Sequence, residues 1–83
     1  MATIYVVCST DGFVEACADD VRRAFELVEE VVDDLHSDDV SVYRVDMTLA
    51  AVKALRGGQI DSDRITHEVV RLSDDTIQEI AWR

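Results

Sequence analysis

The side chains best suited to chemistry in this chain are two cysteines and two histidines, the residue types that most often bind zinc. Cys8 and Cys17 are nine residues apart, and His36 and His67 follow far downstream. Zinc ligands usually come in pairs separated by about two to five residues, and no such pair occurs here. We therefore expect no metal site. We predict that the cysteines are free thiols and that His67 packs opposite Trp82 across two strands.

Patterns typical of catalytic or phosphate-binding sites are also missing from the sequence. The chain has three glycines, and Gly57 and Gly58 are adjacent, so no glycine-rich phosphate loop can be assigned. Residues 9–12 predict a turn rather than the strand-to-helix corner that presents a catalytic serine. The acidic pairs do not follow the spacing of a calcium loop. We expect a protein that is not an enzyme and needs no cofactor.

Carboxylates are the chemical groups that the sequence does concentrate. Eighteen acidic residues against eight basic ones give a net charge of −10. Residues 11–39 carry 11 acids and two arginines, a net charge of −9, and the remainder carries 7 acids and 6 bases, a net charge of −1. This charge disfavours direct binding to nucleic acid or to an anionic membrane, because both depend on neutralising phosphate.

Five of these acids share the polar side of a predicted helix. Spacings of three and four residues place like charges side by side, which destabilises a helix by about 0.2 to 0.5 kcal/mol per pair. Arg22 and Arg23 lie near the positive end of the helix dipole, the reverse of the favourable order. A helix that keeps these penalties suggests a role beyond its own stability. We predict a protein-binding surface formed by Glu26, Glu29, Glu30, Asp33 and Asp34.

The composition supports a competing explanation for the acidity. Asp is twice as frequent as Glu, and seven arginines accompany a single lysine, Lys53. This bias is typical of a haloarchaeal or very GC-rich host, in which an acidic surface serves as salt adaptation. Under this explanation the carboxylates maintain solubility and bind no partner.

The first predicted element is a β-hairpin. Residues 3–9 and 13–18 have the β-branched and apolar content of strands, and Asp11-Gly12 between them is a strong signal for a two-residue turn. Such a turn determines which residues face each other. The predicted pairs are Val7 with Ala16 and Ser9 with Val14.

A long amphipathic helix follows the hairpin. Asp19 or Asp20 supplies its N-cap, and helical spacing of apolar residues continues to His36. An alternative extends one helix over residues 12–36, because Phe13 and Cys17 continue the same stripe. The predicted core-facing residues are Val21, Ala24, Phe25, Val28, Val31, Val32 and Leu35.

The second half of the chain predicts a strand, a short helix and another hairpin. Residues 40–46 form the strand, Thr48 caps a helix that ends at residues 57–58, and residues 64–72 and 76–82 alternate as paired strands. The sequence thus predicts one α+β domain over residues 1–83. Its order is ββαβαββ, or βαβαββ with the extended helix. One long helix across a small mixed or antiparallel sheet would include a β-grasp arrangement.

Residues 4–7, 14–28 and 42–45 resemble the corresponding parts of small phage and prophage accessory proteins, which open on a hairpin followed by a charged helix. The likeness covers about the first 46 residues. It implies a viral or mobile-element origin and assigns no activity to any residue.

These observations lead to two functional hypotheses. The first is a non-catalytic viral or mobile-element accessory protein that binds a host protein, such as a basic nucleic-acid-binding one, through the five acids. The alternative is a cellular haloarchaeal binding module or oligomeric subunit. The sequence leaves a homodimer open. Neither a signal peptide nor an apolar run of membrane-spanning length is present, so we expect a cytoplasmic protein without membrane contact.

Overall fold

The structure, a computed structural model, describes residues 3–9, 11–36, 39–55, 57–73 and 75–82. Asp74, in the predicted second hairpin turn, and Ser37 and Asp38, in the predicted turn after the helix, lie outside these ranges. In chain order the elements are β1 (Ile4–Ser9), β2 (Val14–Ala18), α1 (Val21–Leu35), β3 (Val40–Val45), α2 (Leu49–Ala54), a 3-10 helix (Ser62–Arg64), β4 (Ile65–Ser73) and β5 (Thr76–Ala81).

The five strands form one sheet in the order β2-β1-β3-β4-β5, and every pairing is antiparallel. The α+β prediction is confirmed. The mixed sheet, and with it the β-grasp arrangement, is wrong because α1 returns the chain across the sheet and places β3 antiparallel to β1. The extended-helix order βαβαββ is also wrong, because Val14–Ala18 is a strand. The observed order adds a 3-10 helix that the sequence did not predict.

Strand β1 lies at the centre of the molecule, with apolar side chains covered on both of its faces. Tyr5 and Val7 belong to the core that α1 covers. Val6 and Cys8, on the opposite face, pack in a second core with Val52 of α2. Because successive side chains of a strand alternate between faces, a continuous apolar run predicts this two-sided burial.

The ends of α1 are defined by hydrogen bonds of its caps. The Asp20 carboxylate accepts a hydrogen bond of 3.0 Å from the Arg22 backbone N–H, as expected of an N-cap. His36 adopts a left-handed conformation (φ 53°), and its backbone N–H donates to the carbonyl of Val32. The predicted start and end of this helix are confirmed.

The buried side of α1 is narrower than the predicted stripe. Ala24 and Val31 are the buried residues of the helix, whereas Phe25 and Val28 are half-buried beside the same core. Leu35, which was predicted to face the core, is 41% exposed. A helix lying on a sheet buries only the side chains along its line of contact, so residues at the margins of an apolar stripe remain partly in solvent.

The loop between β1 and β2 is one residue longer than predicted. The Gly12 N–H donates to Ser9 O (2.9 Å), and the Ser9 N–H donates to Phe13 O (3.0 Å). Gly12 has a φ of 83°, a backbone conformation that residues with a Cβ atom rarely adopt. These features match a hairpin loop that ends in a left-handed glycine.

The longer loop changes the strand register that follows it. Val7 faces Ala16 as predicted, but a β-bulge shifts the next pair, so that Cys8 faces Val14. The predicted pair of Ser9 and Val14 is therefore wrong. The bulge places Val14 in the core on the α2 side of the sheet.

The second hairpin is confirmed, again with a shifted register. His67 faces Ala81 and not Trp82, because an irregularity between Arg71 and Ser73 moves the pairing by one residue. The ring of Trp82 instead makes an edge-to-face contact with Tyr43, at 5.2 Å between centroids.

Candidate protein-binding surface

The five predicted binding residues are exposed together on one side of α1. At 3.6 residues per turn they span an arc of about 140°, and the buried residues Ala24 and Val31 lie on the opposite side of the helix. We call this surface the acidic face; it consists of Glu26, Glu29, Glu30, Asp33 and Asp34, all exposed.

The charge density of the acidic face can be compared with that of a nucleic acid. Eight residue steps separate Glu26 from Asp34, which corresponds to about 12 Å along the helix axis. The five carboxylates within this distance have a mean axial spacing of about 3 Å. DNA carries about one charge per 1.7 Å of duplex and about one per 3.4 Å of each strand. The acidic face thus has the linear charge density of a nucleic acid.

Few cations neutralise the acidic face. Among the described residues, its one ion pair joins the Glu26 carboxylate to the Arg23 guanidinium at 3.1 Å. Both side chains are more than half exposed, and such surface pairs contribute little. The first turn of α1 contains no acid and the last turn contains no base. The charged side chains of α1 therefore interact unfavourably with the helix dipole, as predicted. The stability of α1 must come from its packing and its caps.

A small groove separates the acidic face from the β4–β5 hairpin. The Arg71 guanidinium lies over the Phe25 ring, 5.4 Å from its centroid, which makes a cation–π contact between helix and sheet. The groove encloses about 190 Å³. Its lining residues are Arg22, Phe25, Glu26, Glu29, Arg71 and Ile77. The groove therefore brings two apolar side chains, Phe25 and Ile77, beside charged ones that include two acids of the acidic face.

The cysteines have different environments. Cys8 is fully buried, and desolvation, reinforced by the nearby charge of Glu15, raises the pKa of its thiol to about 12. Cys17 is half-buried, and both are free thiols. A thiol with a raised pKa is a poor nucleophile and a poor metal ligand at neutral pH. Cys8 is thus a small core residue.

The histidines belong to separate parts of the structure. His36 caps α1, and His67 Nδ1 is 3.0 Å from Thr66 Oγ1. Because the Thr66 hydroxyl donates to the carbonyl of Arg44 (3.1 Å), it accepts the His67 hydrogen bond. Within the described ranges, no three His, Cys, Asp or Glu side chains are grouped closely enough to hold a metal ion.

A further cavity in the described part of the chain was not anticipated from the sequence. It encloses about 650 Å³ at the end of the sheet where β3 ends and β4 begins. Its lining includes three basic residues and one acid, namely Arg44, Arg64, His67 and Asp46. No local motif marks these residues, since they meet only through strand pairing. The cavity is open to solvent and contains no arrangement that identifies a ligand.

None of the helices described here is long and apolar enough to cross a membrane. Comparisons of the chain with protein-family models, with curated proteins and with solved structures find no match. The geometry and charge of the acidic face are therefore the features from which a function can be inferred.

Proposed function

We propose that this chain is a non-catalytic accessory protein of a virus or mobile element, which binds a basic nucleic-acid-binding protein of the host through the acidic face. The supporting observation is that five carboxylates are exposed on one side of one helix, with a single exposed ion pair among them. In this role the helix occupies a cationic groove in place of a nucleic acid.

The packing of α1 supports this proposal. The helix contacts three strands, β2, β1 and β3, so its charges are held on a rigid support. A binding surface that is ordered before association loses little conformational entropy when the complex forms. A flexible acidic tail of equal charge would lose more. The acidic face is accordingly suited to competing with a stiff nucleic acid.

The proposed complex should form quickly and weaken with salt. Complementary charge accelerates encounter, and salt screens this attraction over a Debye length of about 10 Å at 0.1 M. The partner's basic groove should release its duplex DNA or RNA when this protein binds. Competition with nucleic acid is therefore the defining property of the proposed activity.

Charge reversal on the acidic face provides the test. The triple variant Glu26→Lys, Glu30→Lys and Asp33→Lys should lose its partner while keeping the fold, because these side chains are exposed and opposite the core. Proteins captured from a host lysate by the immobilised wild type would be eluted with duplex DNA and identified. We expect elution of basic nucleic-acid-binding proteins that the triple variant fails to capture.

The matched control distinguishes the effect of the acidic face on binding from the effect of the total net charge. Asp11→Lys, Asp46→Lys and Asp75→Lys change the net charge equally at exposed positions outside α1. This control should retain the partner. Equal loss in both variants, or capture that duplex DNA does not displace, would argue against nucleic-acid mimicry.

The competing hypothesis is a cellular haloarchaeal module or subunit whose acidity is salt adaptation. It is favoured by the exposed carboxylates that also lie outside α1, including Asp11, Asp19, Asp46, Asp61 and Asp75. The two hypotheses differ in the salt concentration at which the chain folds.

A further inference from the structure

The two edge strands of the sheet, β2 and β5, differ in whether another segment is hydrogen-bonded to their outer side. Strand β2 is one edge, and its first residue is bonded to the segment after α2: the Val14 N–H donates to Gly58 O (2.9 Å), and the Gly57 N–H donates to Val14 O (3.0 Å). Strand β5 is the other edge. No described segment pairs with its outer side. Strand β5 is therefore the edge along whose whole length no described segment pairs.

The backbone groups at this open edge can be identified from the β4–β5 pairing. Trp82 N–H donates to Thr66 O (3.0 Å), and hydrogen-bonded pairs recur every second residue in an antiparallel ladder. The pairs that join β5 to β4 are thus Thr66–Trp82, Glu68–Ile80 and Val70–Gln78. The residues between them direct their N–H and C=O groups outward, and these are Ile77, Glu79 and Ala81.

Strand β5 lacks the features that usually protect an edge. Proteins block edge strands with proline, lysine, bulges or covering segments. Residues 77–81 pair regularly with β4 and contain neither proline nor lysine. The one charged side chain of the strand, Glu79, is already hydrogen-bonded within the molecule. Its Oε1 accepts hydrogen bonds from Arg44 Nη1 (3.3 Å) and from the Tyr5 hydroxyl (3.4 Å). Residues 77–81 thus present no unpaired charge that would oppose the addition of another strand.

Exposed apolar side chains lie on the same hairpin. Leu72 of β4 is 60% exposed and Ile80 of β5 is 47% exposed. Strand alternation places both on the face away from α1, because Val69 and Ile77 belong to the core on the α1 side. An added strand would cover part of this surface.

We propose that two copies of this chain form a dimer by antiparallel pairing of β5 with β5 about a two-fold axis at Gln78. In this register Ile77 faces the partner's Glu79 in a hydrogen-bonded pair, and the symmetry repeats that pair. Ile80 faces the partner's Thr76, and the two Gln78 side chains are adjacent. A register centred at Glu79 would instead place two carboxylates opposite each other, which is unfavourable.

The charge distribution favours a second copy at this edge rather than at α1. The acidic face would repel its own copy. Most of the packing of α1 is on β2, β1 and β3, in the other half of the sheet, and the helix adjoins the β4–β5 hairpin at Phe25. The dimer is a ten-stranded sheet that keeps the two acidic faces apart and available. The dimer depends on the sheet edge and not on binding by the acidic face, so it can be tested independently of the proposed function.

Disulfide trapping tests the register directly. Gln78 lies on the symmetry axis in a non-hydrogen-bonded pair, where Cα atoms are about 4.5 Å apart and within disulfide range. Gln78→Cys, in a Cys17→Ala background that leaves only the buried Cys8, should cross-link to itself on mild oxidation. Thr76→Cys and Ile80→Cys should each fail alone, and a mixture of the two should cross-link.

Mass measurement supplies the second test. Multi-angle light scattering should give the wild type twice the monomer mass of 9.3 kDa. Ile80→Lys should give a monomer with an unchanged circular dichroism spectrum. The matched control, Leu35→Lys, alters a side chain of similar exposure on α1 and should leave the dimer intact.

Two results would overturn the dimer. One is a wild type that remains at 9.3 kDa at high concentration. The other is a dimer in which Gln78→Cys does not cross-link. If Ile80→Lys failed to fold, the cross-linking pattern of the three cysteine variants would decide. The triple reversal on the acidic face should keep the dimer mass, which separates this inference from the proposed function.

Discussion

Individual residues in the core of this protein have properties that differ sharply from those of their exposed counterparts. Cys8 has no exposed surface, and burial raises the pKa of its thiol to about 12. Burial, together with the negative charge of Glu79, also raises the pKa of Tyr5 above its ordinary value of 10.0. Both groups are neutral in the folded protein over a wider pH range than in the unfolded chain.

We predict that the free energy of unfolding falls as pH rises from 9 toward 12. Above its ordinary pKa of 9.0 the Cys8 thiol ionises in the unfolded chain but stays protonated in the folded one. The unfolded state therefore binds fewer protons, and stability decreases by up to about 1.4 kcal/mol per pH unit. Urea unfolding of wild type and Cys8→Ala between pH 8 and 11 measures this slope.

The Cys8→Ala variant should be less stable than the wild type below pH 9 and show a shallower slope from pH 9 upward, so that the difference narrows as pH rises. Tyr5→Phe is the control, because Tyr5 can contribute only above its ordinary pKa of 10.0. An unchanged slope between pH 9 and 10 in Cys8→Ala would contradict the assignment.

At the scale of elements, α1 combines an unfavourable charge order with good packing and capping. The interaction of its charged side chains with the helix dipole is unfavourable, and so is the repulsion between its neighbouring carboxylates. The compensating contributions are the apolar contacts to three strands and the Asp20 cap. This helix should consequently be sensitive to the loss of its cap.

We predict that Asp20→Ala lowers the free energy of unfolding by about 1 kcal/mol, because the Arg22 N–H loses its acceptor. The neighbouring Asp19→Ala removes the same charge at an exposed position and should have little effect. Chemical denaturation of both variants measures the difference. Equal destabilisation would mean that charge near the helix N-terminus, and not the hydrogen bond, stabilises α1.

At the scale of the whole molecule, the net charge of −10 is concentrated in residues 11–39. Repulsion among these charges opposes the compact state at low ionic strength and is screened as salt is added. A protein that imitates a nucleic acid must nevertheless fold in dilute buffer. A protein adapted to high salt need not.

We therefore predict a folded protein in dilute buffer, with only a modest gain in stability as salt rises. Circular dichroism and Trp82 fluorescence across a salt titration measure folding independently of any partner. Folding that requires near-molar salt would favour salt adaptation and count against nucleic-acid mimicry. The Asp11, Asp46 and Asp75 reversal offers a control with reduced total charge.

The sequence by itself determined the features that depend on neighbours along the chain. The caps at Asp20 and Thr48 are confirmed, and the Thr48 hydroxyl accepts from the Ala51 N–H at 3.1 Å. The helical spacing of apolar residues located α1, and the same spacing placed its acids on the exposed side. These predictions succeed because capping bonds and helix periodicity involve residues within about four positions of each other.

Only the tertiary structure decided the features that depend on distant segments. The bulge that pairs Cys8 with Val14, and the irregularity that moves His67 opposite Ala81, each shift a strand by one residue. The position of β5 at an open edge follows from the order of all five strands. Alternation along a strand identifies its faces but does not determine which strand lies beside it. That choice is made by long-range packing on both sides of β1.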